Sequence, residues 1–350
     1  MPLLADRPIQ RVAFVGTYPP RHCGIATFTA DLCDALAAGG ITPLAVPVND
    51  TPEGYAYSPP VRFTIDQNDP ASYRRAAQFL NINRVDVVNV QHEYGIFGGA
   101  AGSHIVAFLR ELRTPVVSTL HTVLRDPTRE QRLVLRQLAT LSDRMVVMSQ
   151  RGQQLLREYY DVPAEKIDLL PHGIPDVPFV APNFYKDQFG VAGKHVLLTF
   201  GLLSPGKGIE HAITALPAIR QQCAETVYMV VGTTHPHVRR AQGESYRLSL
   251  RRLARDLNVG DAVIFHDRFV DARELSEFVG AADIYVTPYL HEAQIASGTL
   301  ALAVGSGKAL ISTPYWYAQE LLADGRGVLV PFRDPAAIAQ AAIGLLANEA

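Results

Sequence analysis

Lysine is scarce in this chain. Of its 32 cationic residues only five are lysines, at Lys166, Lys186, Lys194, Lys207 and Lys308, so a lysine in a suggestive loop carries more weight than usual. Cysteine is scarcer. Cys23, Cys33 and Cys223 are too few and too scattered for a disulfide framework or a zinc site, and they fit a reducing compartment. Neither sign of charge is in excess. Lys+Arg 32 against Asp+Glu 34 leaves −2, which gives no support to nucleic acid or an acidic membrane surface as a partner. No apolar run approaches the ~18 residues of a membrane helix. The opening MPLLADRPIQ lacks the basic segment and apolar core of a secretory signal. The expectation is a soluble cytoplasmic protein, with peripheral membrane contact left open.

What is present is a globular balance, 48% hydrophobic and 19% charged, over 350 residues. That length suggests two domains. Apolar runs at 12–16, 44–48, 61–65, 85–91, 116–121, 145–149 and 167–171 alternate with amphipathic stretches near 25–37, 71–81, 102–112, 129–141 and 151–160. Such alternation predicts a parallel sheet covered on both faces. Residues 175–193, PDVPFVAPNFYKDQFGVAG, break the rhythm with prolines and glycines and read as a linker. Strand candidates then resume at 195–200, 227–232, 263–267, 284–288, 309–313 and 328–330, with helical patterns near 208–221, 244–257, 272–281, 297–305 and 335–347.

Both halves open with a strand, a loop, a glycine and a helix. The predicted fold class is therefore α/β, with two Rossmann-like domains whose parallel sheets face each other across a cleft. The domains are an N-terminal Rossmann-like domain over 1–178, a linker over 179–193 and a C-terminal Rossmann-like domain over 194–350. Open sheets of this class bind ligands beyond the carboxyl ends of their strands. The last residues, LLANEA, stop inside a helical pattern, and the expectation is a portion of a longer protein.

Five loops at strand ends could carry chemistry. TYPPRHCG, residues 17–24, ends at Gly24 where a helix begins, and free amides at a helix start attract anions; an ordinary turn is the plain alternative. It is not a GxGxxG dinucleotide loop. VQHEYG and STLHTV bring His92, Glu93 and His121 to the sheet's edge, for acid–base work, a sugar hydroxyl or ordinary backbone satisfaction. GLLSPGKG sets Lys207 between Gly206 and Gly208, which suits a diphosphate but is not a Walker loop, since glycine follows the lysine. GTTHPHVRR offers His235 and His237 without a third ligand at zinc-like spacing, beside Arg239 and Arg240, fitting an anion or a solvated surface equally. The densest is PYLHEAQIASGTLALAVGSGK. There Glu292 precedes Ser297, Gly298 and Thr299 at the start of an apolar helix, a second candidate anion site.

Taken in order, these pieces resemble retaining glycosyltransferases of the GT-B fold, family four, the glycogen-synthase-like and group 1 mannosyltransferase type. The family has a glycine loop after the first strand (TYPPRHCGIATF), a histidine after an apolar strand (VVSTLHTV), and a serine, helix and Pro-His-Gly-Ile (VVMSQRGQQLL to IDLLPHGIPD). It then has G-R-L-x-x-x-K-G (GLLSPGKG) and A-D-x-x-x-x-P-S-x-x-E (ADIYVTPYLHE). The resemblance implies that Gly24 borders the diphosphate and acceptor, and that His121 contacts the donor sugar across the cleft. It further implies that Lys207, with Gly206 and Gly208, binds the donor diphosphate. Glu292 holds donor-sugar hydroxyls, and the amides near Ser297, Gly298 and Thr299 meet the phosphates. FHDRF with Arg268 lies where the family cradles the base, and His235 lines the same side.

Two positions depart from the family. Its loop arginine is Leu202 here, with Arg239, Arg240 or Arg268 as candidate replacements. Its second glutamate, the one that grips the ribose, is assigned to Leu302, with Gln294 as candidate substitute. The QIxSGTLA donor loop resembles a variant subgroup joined to a mannoside phosphorylase domain, which implies mannose chemistry and a fused or partner carbohydrate-active domain. The implied activity is transfer of mannose or glucose from GDP-mannose or UDP-glucose to a carbohydrate or other hydroxyl acceptor, with retention. No permanently bound cofactor and no metal are implied, and the chain offers no Asp-x-Asp. The alternatives are a non-catalytic nucleotide-sugar or glycan-binding module of a larger enzyme, and a phosphorylase or epimerase of the same architecture.

Overall fold

The computed structural model describes residues 8–176 and 178–347. The first residues of the leader reading, one residue of the 175–193 segment and the last residues of the chain lie outside the described residues. The chain divides into two compact units, Met1–Pro171 and His172–Ala350.

In the first unit β1 (Arg11–Gly16), β2 (Thr42–Asn49), β3 (Ile65–Asp66), β4 (Val87–His92), β5 (Val116–Leu120), β6 (Arg144–Val147) and β7 (Ile167–Leu169) form one sheet in the order β3-β2-β1-β4-β5-β6-β7. Every pairing is parallel. A helix follows β1, β3, β4, β5 and β6 and returns the chain to the next strand, whereas β2 runs on to β3 through a stretch without a helix. Val12, Ala13, Phe14 and Val15 on β1 are all buried, which is why the run reads as continuously apolar instead of alternating. Several helix starts are set by their sequence: Thr128 and Gln131 form a capping box for Arg129–Leu141, and Ser149 caps Gln150–Tyr160.

The expected strand over 61–65 is corrected. The chain touches β2 at one lone bridge, Ala45 to Val61, leaves it, and rejoins only for the two residues of β3. Pro59 and Pro60 precede that bridge and supply no amide to the ladder.

The second unit contains β8 (His195–Phe200), β9 (Thr226–Val231), β10 (Val263–His266), β11 (Ile284–Thr287), β12 (Ala309–Ser312) and β13 (Val328–Leu329), in the parallel order β10-β9-β8-β11-β12-β13. The strand order reverses between β8 and β11, as it does between β1 and β4 in the first unit, so each sheet has a crevice at its carboxyl edge.

The segment read as a linker is packed instead. Asn183–Lys186 is helical, Phe189 stacks on Phe278 at 4.1 Å, and Val191 is fully buried. Lys186 Nζ donates to both carboxylate oxygens of Asp283 at 2.9 and 2.8 Å, a buried ion pair within the second unit. Tyr185, Phe189 and Val191 bury their side chains too irregularly to register as a period. Two further short helices, Pro236–Gln242 and Trp316–Leu321, also escaped the periodicity, being too short to show it.

Candidate functional site

The second unit's carboxyl edge is built by three loops that knit together. After β8 and β9 the ladder continues past the strands: Gly201 donates to Val231 at 2.9 Å, Leu203 to Thr233 at 2.8 Å, and His235 to Leu203 at 2.8 Å. Gly232 sits at φ +136°, and a Cβ there would lie 2.0 Å from the Gly201 carbonyl oxygen, so the two strand ends meet backbone to backbone. The β8 loop then turns through Pro205–Lys207 and reaches Gly208 at φ +62°. Gly206 accepts the Leu290 amide at 2.9 Å, which ties this loop to the one after β11.

That geometry places Lys207. Its ammonium lies over the Tyr289 ring, 3.7 Å from the centroid. The Tyr289 hydroxyl is 2.9 Å from Thr299 Oγ1, which is 3.1 Å from Ser297 Oγ. Ser297 caps the helix Gly298–Gly305 by accepting the Leu300 amide at 3.3 Å. The structure thus links Lys207, Ser297 and Thr299 through one buried tyrosine. Gly298 faces His172: a Cβ on it would come 2.8 Å from His172 Nε2. His172 belongs to the Pro-His-Gly-Ile motif but was not singled out as a site residue; burial holds its ring below the usual histidine range, against a hydrogen bond to the Gly173 carbonyl that opposes the shift.

Glu292 is exposed on the same loop. Its carboxylate has no partner among the described residues, while its backbone carbonyl accepts the Trp316 amide at 2.9 Å. Gln294 is turned inward: its side-chain amide donates to the Ala296 carbonyl at 2.8 Å and its own carbonyl accepts the Tyr317 amide at 3.0 Å. Leu302, the position assigned to the family's second glutamate, is a buried leucine and supplies no carboxylate.

The candidate replacement cations are already engaged. Arg268 is ion-paired to Glu274 through both terminal nitrogens, and Arg239 lies 3.8 Å from Glu244. His235 caps the helix Pro236–Gln242, and burial first, then His237 and Lys207, depress its proton affinity. The cation that organises this side is Arg247, which the sequence reading missed. Only 5% exposed, it donates to the Gly232 carbonyl at 2.9 Å and to Glu244 at 3.1 Å, and pairs with Asp267 in the FHDRF loop. It sits in the first turn of the helix Ser245–Asp256, which carries other arginines, and only its burial marks it out.

In the first unit Gly24 opens the helix Gly24–Ala38 after Cys23, with open space where a Cβ would stand. His121 follows β5. Its Nε2 is 2.7 Å from Gln91 Oε1, and Gln91 in turn donates to Asn89 Oδ1 at 2.6 Å. The Phe28 ring meets His121 edge-on at 5.1 Å. Glu93 accepts from Thr122 and from the Tyr94 amide, and burial outweighs these bonds to raise its carboxyl.

His92 is fully buried between Tyr94 and Phe97, with neither ring nitrogen hydrogen-bonded, and burial pushes it down to about 4. Unfolded, it titrates near 6.5, so below that pH the unfolded chain binds the extra proton. Stability should therefore fall by up to ~2 kcal/mol between about pH 6.5 and 5 on this account. Glu93 contributes with the opposite sign. Urea titrations of wild type and His92→Phe across that range isolate the histidine: the variant should lose the slope. Equal slopes would remove His92 from the account.

Comparison with known proteins covers both units. A family model described as glycosyl transferases group 1 matches residues 194–348, and one described as glycosyltransferase family 4 matches residues 23–176. A GDP-mannose-dependent alpha-(1-6)-phosphatidylinositol monomannoside mannosyltransferase of Mycolicibacterium smegmatis is 29% identical over 131 residues, 36% of this chain and 31% of that protein. Its counterpart from Mycobacterium tuberculosis is 26% identical over 161 residues, 45% of this chain and 39% of that protein. The matches thus span only about a third of these curated relatives. Among solved structures, Anabaena HepE in complex with UDP and glucose superposes with a TM-score of 0.73 at 17% identity, covering 97% of this chain and 90% of that one. Sucrose-phosphate synthase from Thermosynechococcus elongatus gives 0.75 at 19% identity, with the same coverage. At such identities the likeness is one of fold.

Proposed function

The chain belongs to the GT-B glycosyltransferases, and from that premise we propose that it moves a hexosyl group from a nucleoside-diphosphate sugar to a hydroxyl acceptor with retention of configuration. The observation that carries this reading is the convergence of Lys207, the capped start of Gly298–Gly305 and the unpartnered Glu292 carboxylate on one sheet edge. In such a transfer the leaving diphosphate gains charge while the sugar becomes oxocarbenium-like. Fixed donors aimed at that charge lower the barrier without reorganising. Lys207, the loop of Gly206 and Gly208, and the amides at Gly298 and Thr299 take the diphosphate. Glu292 takes the sugar hydroxyls, and the loops near His235 and Arg268 take the nucleoside. In the first unit the residues proposed to meet ligand are Gly24 and His121.

Mannose is the favoured sugar, supported by relatives named as GDP-mannose-dependent. HepE, in a complex with UDP and glucose, supports the competing choice. A thermal-shift panel of GDP, UDP, GDP-mannose and UDP-glucose tests both, since a ligand bound only by the folded state raises the melting temperature. The largest shift should come from GDP-mannose. No shift with any of the four overturns the donor-site reading.

Glu292→Gln should depress transfer at least tenfold while leaving the Kd for the nucleoside diphosphate within about threefold, because only the sugar contact changes. Calorimetry and initial rates on the same preparation check this. Lost nucleotide affinity with unchanged turnover would give Glu292 a different role. A second reading, a non-catalytic donor-binding module, draws on the leucine that stands in place of the second glutamate. It predicts donor binding without release of nucleoside diphosphate across a panel of acceptors.

A further inference from the structure

We propose that Tyr289 is a positioning residue that acts through Lys207, holding the ammonium with its ring and the helix cap with its hydroxyl. The inference rests on the donor-site reading above. Lysine ends in a compact charge on a flexible four-carbon stem, so its use at a diphosphate depends on what restrains it. Here the ring face restrains it at 3.7 Å. The ring is itself immobile: it is 1% exposed, stacked on Tyr315 at 5.4 Å and 18°, and its backbone carbonyl accepts the Thr313 hydroxyl at 2.6 Å. From the opposite edge its hydroxyl reaches Thr299 at 2.9 Å, and through Thr299 the Ser297 cap. One side chain therefore sets the spacing between the only lysine on this edge and the helix start. The register of β11 fixes it there, because Tyr289 follows the strand by two residues and Gly208 packs against the intervening Pro288 carbonyl.

The ring and hydroxyl functions separate by chemistry. Tyr289→Phe keeps the face and loses the bond to Thr299; Tyr289→Leu loses both. Binding of UDP, GDP and inorganic pyrophosphate is measured by calorimetry for wild type, Tyr289→Phe, Tyr289→Leu, Lys207→Ala and the Tyr289→Leu/Lys207→Ala double variant. The Phe variant, which loses only the cap contact, should weaken binding by about threefold, and the Leu variant, which loses the ring face as well, should lose tenfold or more. The double variant should bind within about threefold of Lys207→Ala alone, since without the lysine only the helix-cap contact of the tyrosine is left to lose. A residue that merely supports the loop would weaken binding by the same factor in both backgrounds, and that result overturns the proposal.

A second measurement needs no variant to fold. Reductive ¹³C-dimethylation of the wild type gives signals from only five lysines. The Lys207 methyls should be displaced upfield by the ring current of Tyr289, unlike the other four. A Lys207 signal at the position of a solvated lysine overturns the proposal directly. Wild type that binds none of the three probes overturns the donor-site reading and this inference with it, whereas an additive cycle or an unshifted lysine overturns this inference alone.

Discussion

Replacing Lys207 with alanine should lower turnover with donor at least tenfold, and about a hundredfold if the ammonium meets the leaving diphosphate in the transition state. Loss of one preorganised donor at developing charge costs ~3 kcal/mol, which is about two decades in rate. The variant should fold normally, because the side chain is only partly buried and rests on the Tyr289 ring. Initial rates of nucleoside diphosphate release, with melting temperature as control, give the answer. Turnover within twofold of wild type at an unchanged melting temperature would take Lys207 out of the chemistry. Arginine at this position is not expected to rescue fully, since a stacked guanidinium spreads its charge over a planar fork and aims its donors differently from the compact ammonium.

Gly208→Ala should be the most disruptive single methyl on this edge. The residue is held at φ +62°, a conformation that costs a side chain ~1–2 kcal/mol. The new Cβ would also stand 2.1 Å from the Pro288 carbonyl oxygen, and neither backbone can yield without parting the loops after β8 and β11. Together these should destabilise the second unit by about 3 kcal/mol and abolish nucleotide binding. Gly206→Ala is the internal comparison. Its Cβ would meet the ring of His291 at 2.9 Å, but that ring is the far end of an exposed side chain and can swing away. Its cost should stay near ~0.5 kcal/mol, as for ordinary surface changes. Urea unfolding of the two variants side by side decides the matter; equal effects would mean that the Pro288 contact is not what makes Gly208 necessary.

Most strands were legible because a parallel strand covered on both faces leaves an unbroken apolar run. The run at 195–200 coincides with β8 to the residue. The main helices were legible from their amphipathic period, and several of their starts carry caps. The 179–193 segment was misread because its apolar residues fall among prolines and glycines, and because Lys186 looks like a surface charge until Asp283 is seen opposite. In the candidate site Lys207 stood out by the rarity of its type and the glycines around it. Tyr289, His172 and Arg247 did not. Their roles depend on what faces them from elsewhere in the chain: a lysine more than eighty positions earlier for Tyr289, a helix start for His172, and a strand-end carbonyl for Arg247. Linear spacing carries no such information. Arg268 shows the converse error, since a basic residue in the right loop is spoken for by a carboxylate six positions on.

Trp316 is the sole tryptophan of the chain, and its amide is bonded to the carbonyl of Glu292. The protein thus carries an intrinsic fluorophore hydrogen-bonded through its backbone to the Glu292 loop, with no second indole to dilute its emission. Occupancy of that loop can be followed by unlabelled fluorescence in real time, and stopped-flow mixing could separate donor capture from the slower steps that follow.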